Sequence, residues 1–534
     1  MRNGQHLARR FRTPHRLPPR LGAGLLGLLL AGCSGTVIEP AAPAGDTTPP
    51  GRVTDLYVSA ASDTAITLTW TAPGDDGRTG TATRYEIRRA PARITAGNWA
   101  AATEIPAPPP AAAGARETVR VTGLARGQQW WFALRAADEV PNWSAVSNVP
   151  SARAENPAGR TWFVRPDGSG DAPTIQAAID SVSPGDLILL SEGRFTWTGQ
   201  AVARAEFGIA AFPREVHDIT LRSVSGSAFT TLDCEGRGRA LHIQGDVDGA
   251  RITIEGLTIV NGAANRENHW AGGGILAHLS ACTLRDVVVT DCTALYTEPG
   301  DTLGQGGGLW YGGQSAPLLE NCVFARNRAN VGGGAMLINS PGETVFRDCL
   351  FADNRAEAQP NAPAGAQGGH GGGVYDLHFR VEFSRCAFLA NTAVGNGGGL
   401  RVYDNPGGNP VTVNDCTFAL NRAALGGGVN VSGPSDVTLA ASIIAGGLGG
   451  SALVRLDDAT LRVGCCDLFG NGGGNALPPG TVDQGGNFSL DPLFCDSPGG
   501  DVRLQPASPC LPGQLPAGSP CAGVGALAEG CEAK

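Results

Sequence analysis

Around position 400 the chain gathers side chains that chemistry can use: Arg401 with Asp376, Asp404, His378, Tyr375 and Tyr403. A basic side chain can accept a proton, and carboxylates can hold a hard cation such as Ca²⁺. Aromatic and polar groups for stacking and hydrogen bonding accompany them, at Trp310, Tyr375 and Tyr403 with His278 and Trp270. Hydrolysis by paired carboxylates needs a set separation, which sequence spacing does not give. What these residues can do depends on the elements that hold them.

Those elements repeat. Glycine triplets occupy 272–274, 306–308, 332–334, 371–373, 397–399 and 426–428, followed by Ile275, Leu309, Ala335, Val374, Leu400 and Val429. A second motif, Cys-x-Phe-x-x-Asn, reads Cys322, Phe324, Asn327; Cys349, Phe351, Asn354; Cys386, Phe388, Asn391; and Cys416, Phe418, Asn421. Degenerate copies begin at Leu257, Val287, Ser442 and Cys466. Successive first positions lie 30, 35, 27, 37, 30, 26 and 24 residues apart, a pattern of short coils with loops of variable length.

Period-two alternation predicts three strands per coil: one after the triplet (Leu400, Val402), one before the Cys (Val411, Val413), and one carrying Cys416 and Phe418. One coil cannot bury its apolar side alone, so the coils must stack about 4.8 Å apart around a shared core. The Asn column suits tight turns and amide bonding from coil to coil, and triple glycine suits a corner with positive φ. If the residues after the triplets point inward, their outward neighbours are Leu276, Trp310, Met336, Tyr375, Arg401 and Asn430. Two residues further along come His278, Gly312, Ile338, Leu377, Tyr403 and Ser432. Two readings of this stripe stay open: its rings stack against sugars, or long loops fold over and bury it. The loops 263–271, 293–305 and 355–370 lie at one corner and carry Glu267, His269, Trp270, Tyr296, Glu298 and Asp301.

The paired motifs resemble those of right-handed parallel β-helix proteins of the pectin-lyase-like superfamily, including polymorphic-outer-membrane-protein repeats. The resemblance covers roughly residues 160–534. An opening segment around Thr174, Ile175, Ala178, Ile179 and Val182 fits a short amphipathic helix capping the core. The segment 491–534 is similar to the closing segment of secreted bacterial β-helix proteins. In uronate lyases of this superfamily, Ca²⁺ held by Asp/Glu neutralises a sugar carboxylate and a basic side chain, often Arg, abstracts a proton. The resemblance therefore makes Arg401, Asp376, Asp404 and His378 the catalytic candidates, with Ca²⁺ as cofactor only if the protein is a lyase. Gly369-His370-Gly371 matches a fragment of the polygalacturonase signature, but the companion fragments are missing, which assigns His370 a structural or solvent role.

The N-terminus speaks of export. Six arginines precede an apolar stretch at 21–30, too short to span a bilayer as a mature helix, which ends in Leu30-Ala31-Gly32-Cys33. This resembles a bacterial lipoprotein signal, implying cleavage after residue 32 and lipidation of Cys33. Ser34, rather than Asp, favours the outer membrane in that family. Residues 33–50 read as a flexible tether. Residues 51–152 show about seven short strands and resemble fibronectin type III, with Trp70 as core tryptophan, Tyr85 on the next strand and Trp130 where the family places its corner tyrosine. That family serves mostly as spacer or interaction module. The β-helix is expected over 160–490, giving an all-β chain: a fibronectin type III sandwich, then a right-handed parallel β-helix.

Composition agrees with an exported solenoid. The chain has 78 glycines in 534 residues, about twice the usual share. Its net charge is -9, and about -15 without the leader's arginines, which disfavours nucleic acid as a partner. The single lysine, Lys534, excludes families that depend on a catalytic lysine. Stacked Cys322, Cys349, Cys386 and Cys416 are too far apart for disulfides and should be buried hydrophobes. Cys495, Cys510, Cys521 and Cys531 in the tail are the disulfide candidates, and Cys465 is a possible partner for one of them. No paired Cys-x-x-Cys spacing supports zinc, so no metal site is expected.

The favoured expectation is a lipid-anchored surface protein that binds polysaccharide or a cell-surface partner without catalysis, touching the membrane only through its anchor. A polysaccharide lyase or glycoside hydrolase, and a purely structural envelope or adhesion protein, are the alternatives.

Overall fold

The computed structural model describes residues 46–534 except 63, 141, 155–158, 201–209, 213–217, 245–250, 265–270, 279–280, 296–303, 314–316, 340–342, 359–367, 378–379, 406–408, 528–529 and 532–534. Trp270, His378, Cys33, the leader and most of the three long loops lie outside the described residues.

Among the described residues, seven strands build the N-terminal sandwich. Tyr57–Ser62, Ala65–Thr71 and Arg116–Thr122 form one sheet; Thr103–Ile105, Arg84–Ala90, Gln129–Ala137 and Ser151–Arg153 form the other. Trp70 is fully buried, with Tyr85 edge-on to it at 5.3 Å. The phenol of Tyr85 donates to Glu117 Oε1 at 2.9 Å. At the corner position, Arg89 lies over the ring of Trp130 at 4.9 Å.

Among the described residues, 161–485 form a parallel β-helix. Its first sheet has twelve strands, from Thr161–Val164 to Val482–Gly485. A second, of ten strands from Gly193–Thr196 to Asp467–Phe469, carries the Cys-x-Phe motifs. A third, of nine strands from Ala210–Phe212 to Leu453–Arg455, follows the glycine triplets. Each strand pairs in parallel with its counterpart one coil away, as Leu400–Tyr403 does with Val374–Leu377 and Val429–Ser432. Inward positions stack like on like: Phe351, Phe388 and Phe418 lie face to face, with centroids 4.8 and 4.4 Å apart. The helix Ile175–Ile179, N-capped by Thr174, buries Ile175, Ala178 and Ile179 against the core, as their spacing predicts.

Two left-handed corners bracket each motif strand. Asn321, Asp348, Arg385 and Asp415 precede it with φ of 52–54°, and Arg326, Asp353, Ala390 and Leu420 follow it with φ of 54–59°. The motif Asn residues are therefore one position past the left-handed corner, not in it. They are retained for their amides. Asn391 Oδ1 accepts from the backbone N–H and the side-chain amide of Asn354 (3.1 and 2.9 Å), and its Nδ2 donates to Phe351 O and Asn421 Oδ1 (2.9 and 3.0 Å). The same pattern joins Asn327, Asn354 and Asn421 into one buried ladder. This satisfies backbone groups that the turn would otherwise strand.

The four motif cysteines are buried free thiols. Cys465, turned outward by its left-handed corner (φ 55°), pairs with Cys521, and Cys495 pairs with Cys531. Cys510 corrects the sequence reading. It is unpaired because it faces a small core of Ile443, Leu504, Leu511 and Val524, and its thiol meets Asp467 Oδ2 at 3.4 Å. The tail thus packs along the outer side of the last coils, where Gly525 N donates to Ala441 O and Ala526 N to Thr417 Oγ1.

Replacing Asn391 by Ala strands the backbone N–H of Asn354 and the carbonyl of Phe351, so equilibrium unfolding should show a loss of about 2–4 kcal/mol. Arg385→Ala, which removes the exposed pair with Asp348 and a long bond to Ser384 Oγ, should cost less than about 1 kcal/mol. Equal losses would refute the ladder's role.

Candidate functional site

The third sheet has one outer column running Leu276, Trp310, Leu337, Tyr375, Arg401, Asn430 and Val454 in register. One coil departs from the sequence reading. Gly333, not Gly332, adopts the left-handed conformation (φ 67°), matching Gly306 and Gly371. Ala335 then takes the place of the third glycine, so Met336 and Ile338 turn into the core, and it is Leu337 whose backbone pairs in register with Trp310 and Tyr375.

Two glycines, Gly332 at a corner and Gly312 at a strand end, let outer rings lie flat against the backbone. A Cβ on Gly332 would lie 2.2 Å from the Tyr375 ring, and one on Gly312 would lie 2.1 Å from the Trp310 ring. Neither position admits a side chain while these rings lie flat.

Two aromatic stations result. At the first, His278 and Trp310 stack at 6.1 Å, and the indole N–H donates to Gln305 Oε1 at 3.0 Å. At the second, the Arg401 guanidinium carbon lies 5.4 Å from the Tyr375 ring and 5.0 Å from the Tyr403 ring. His370 stands edge-on to Tyr375 at 5.9 Å. Its Nδ1 accepts the Asn396 backbone N–H at 3.1 Å, which leaves the ring proton on Nε2, and Arg401 Nη1 approaches the same atom at 3.1 Å. Burial, then the Arg401 charge, pushes the His370 pKa down to about 4, so the ring is neutral at pH 7. Burial also lowers the Arg401 pKa and raises that of Tyr375.

Tyr375, Arg401 and Tyr403 are thus brought together, while His278 and Trp310 form a separate pair. Exposure divides the stripe: Tyr375 and Arg401 are 7% exposed, but Tyr403 is 37% exposed. Asp404 sits in a left-handed corner (φ 52°) just beyond Tyr403, its N–H donating to Ser432 O at 3.1 Å. Asp376 is not on this face, which corrects its place among the catalytic candidates. Since Tyr375 points outward, the next residue must point inward. Asp376 is 0% exposed, stacked in register between Ile338 and Val402, and neither carboxylate oxygen has a partner. Burial raises its pKa well above the usual carboxylate range. Among the described residues, no group of three or more His, Cys, Asp or Glu side chains is placed to hold a metal ion.

Sequence reasoning assigned His370 a structural or solvent role and did not join it to Arg401, although it directly precedes a glycine triplet, where side chains meet the outer column. It also passed over Arg239, a buried guanidinium that donates to the carbonyls of Gly272 and Ala271 and whose pKa burial lowers to about 9.

Residues 275–444 match the family model for the right handed beta helix region, which covers the coils that carry both stations. Calcium-activated chloride channel regulator 1 of Homo sapiens is 31% identical over 177 residues, covering 30% of this chain and 18% of that protein. Chitinase A1 of Niallia circulans is 32% identical over 134 residues, covering 24% and 16%. The chain spans less than a fifth of the length of these relatives. Among solved structures, a family 28 exopolygalacturonase of Yersinia enterocolitica aligns over 82% of this chain and 96% of its own, at 11% identity and TM-score 0.23. A pectate lyase of Pectobacterium carotovorum aligns over 67% and 89%, at 11% identity and TM-score 0.16. The fibronectin type-III domain of human fibronectin type III domain containing protein 3 aligns over 22% and 94%, at 16% identity and TM-score 0.16.

Folded Asp376 keeps its proton where the unfolded chain releases it. Its contribution to stability is therefore fully present below the ordinary carboxylate value of 3.8 and lost as pH rises from there toward the raised folded value, at about 1.4 kcal/mol per pH unit. Asp376→Val should stabilise the protein by roughly 1–3 kcal/mol near pH 4, where the buried unpartnered acid is neutral, and by more at pH 7, because it removes that slope. Unfolding curves across pH 4–8 with parallel wild-type and variant trends would contradict this.

Proposed function

We propose that the outer face of the third sheet binds an extracellular polysaccharide without transforming it. The observation that carries this reading is the pair of aromatic stations on one face, His278 with Trp310 and Tyr375 with Arg401 and Tyr403. Trp310 and Arg401 are three coils apart, about 14 Å at the strand spacing, a span suited to several residues of an extended glycan. Flat rings offer sugars apolar surface without demanding a reacting group. Two features favour binding over chemistry. Asp376 is turned into the core, and the Arg401 guanidinium is held between two rings and a neutral histidine.

Export and anchoring belong to the same proposal. The basic leader and Leu-Ala-Gly-Cys sequence support lipidation of Cys33, with a fibronectin-like spacer carrying the solenoid away from the outer membrane. Cys33→Ser should move the protein from the membrane fraction to the soluble fraction of expressing cells. Unchanged fractionation would refute the anchor.

For the binding face, the full chain should retain specific glycans on an array, and Trp310→Ala with Tyr403→Ala should weaken that binding roughly tenfold, given about 0.5–1.5 kcal/mol per ring. Undiminished binding by the double variant would reject this face. Release of unsaturated uronate products, followed by ultraviolet absorbance with and without Ca²⁺, would replace the binding reading with a lyase.

A further inference from the structure

The C-terminal strap, residues 505–526, lies on one outer column of the second sheet. Thr417, Ile443 and Asp467 stand in that column, in register on the last three strands. All three are buried, and the strap touches each one. Ala526 N donates to Thr417 Oγ1 at 2.9 Å, and a Cβ on Gly525 would lie 2.6 Å from Ile443 Cδ1. On the last strand, the Cys510 thiol meets Asp467 Oδ2 at 3.4 Å. The strap's own bonds fix that thiol in place: Val524 N donates to Cys510 O at 3.0 Å, and Ser508 Oγ donates to Pro492 O at 2.7 Å.

The last rung of this column is unlike the others. Val323, Leu350, Ala387, Thr417 and Ile443 precede it in register, and none of them ionises. Asp467 is 0% exposed and receives two donors, the Leu490 N–H on Oδ1 at 3.1 Å and the Cys510 thiol on Oδ2. The titratable groups that face it are Cys510 from the strap, Asp491 from the segment leading into the strap, and Cys466 immediately before it in the core. None of these is a cation, and among the described residues no basic side chain pairs with Asp467. A carboxylate sealed without a cation is costly, whereas a sealed carboxylic acid with two hydrogen-bond partners is tolerated. The seated strap therefore fits the protonated form.

We propose that Asp467 is a proton latch for the C-terminal strap: its protonated carboxyl seats the strap, and loss of that proton to solvent lifts it. The Cys465–Cys521 disulfide keeps a lifted strap attached to the solenoid, so it can reseat. Lifting bares Ile443 and Ala445, which acid conditions keep covered. Burial, opposed by the Leu490 N–H and the Cys510 thiol and assisted by the Asp491 charge, pushes the Asp467 pKa up to about 6 from the ordinary 3.8. A raised folded value means that seating is strongest below pH 3.8 and is lost as pH rises through about 6, by roughly a hundredfold in the seating equilibrium. The latch is independent of what the outer face of the third sheet binds.

Hydrogen exchange of the full chain, read by mass spectrometry and corrected for the intrinsic pH dependence of exchange, tests the latch. The amides to follow are Val524, Gly525 and Ala526, which donate to Cys510 O, Ala441 O and Thr417 Oγ1. In wild type their protection should fall roughly a hundredfold between pH 4 and pH 7. Asp467→Val, which continues the apolar column, and Asp467→Asn, which keeps the shape without an ionisable group, should both hold protection constant over that range. Asp376→Val, which removes the other buried acid, should leave the fall in place. A strap seated by packing alone predicts constant protection in wild type, and that result overturns the inference. Persistence of the fall in either Asp467 variant overturns it as well. So does its disappearance in Asp376→Val, which would assign the pH dependence to the core acid instead.

Discussion

Each coil lies about 4.8 Å over the next, so every side chain meets the residue at its own position one turn away. This single spacing governs the solenoid. It rewards residues that bond or stack with copies of themselves, which is why Asn327, Asn354, Asn391 and Asn421 form a continuous amide ladder and the Phe column stacks ring on ring. It tolerates free thiols, which fit as small apolar groups. Like charges are penalised, and on the outer corners Arg and Asp or Glu alternate from coil to coil instead.

The same spacing explains what was legible in the sequence. Self-matching residues recur in sequence, so triplets, Cys, Phe and Asn announced the coils, and period-two alternation located Val411, Val413 and Val437 in the core. Phase was harder, because it depends on which glycine turns left-handed. At 332–334 three glycines in a row conceal that the second one does, and Met336 and Ile338 were assigned to the wrong side. Asp376 was legible but misjudged: alternation forbids it from sharing a face with Tyr375. In the tail, no repeat fixes direction, so Cys510 could not be told from its bonded neighbours before the core of Ile443, Leu504 and Val524 was known.

The candidate site was only half legible for a related reason. Outer residues are not selected for self-matching, and their partners come from different parts of neighbouring coils. His370 precedes a triplet while Arg401 follows the next one; only stacking brings Nδ1 and the guanidinium within 3.1 Å. Folding the Tyr375 ring over Gly332 likewise joins a strand position to a corner position one coil away. Sequence supplied the residue types, and the crossing of columns supplied the geometry.

A ladder that satisfies itself has nothing left to offer a ligand. The Asn column is such a case, since its amide bonds run continuously from coil to coil. Recognition requires the opposite, a rung whose neighbour does not complete it. Arg401 beside Asn430 is an incomplete rung: a cation followed by a neutral amide where outer corners elsewhere pair opposite charges, with the Arg401 Nε, the Asn430 amide and the Ser432 hydroxyl unbonded while Arg401 Nη1 reaches His370 Nδ1. Asp376 breaks the pattern too, but inside the core, where a raised pKa keeps it neutral and no solute can reach it. Arg401 has no such escape, because a guanidinium stays charged even when burial lowers its pKa.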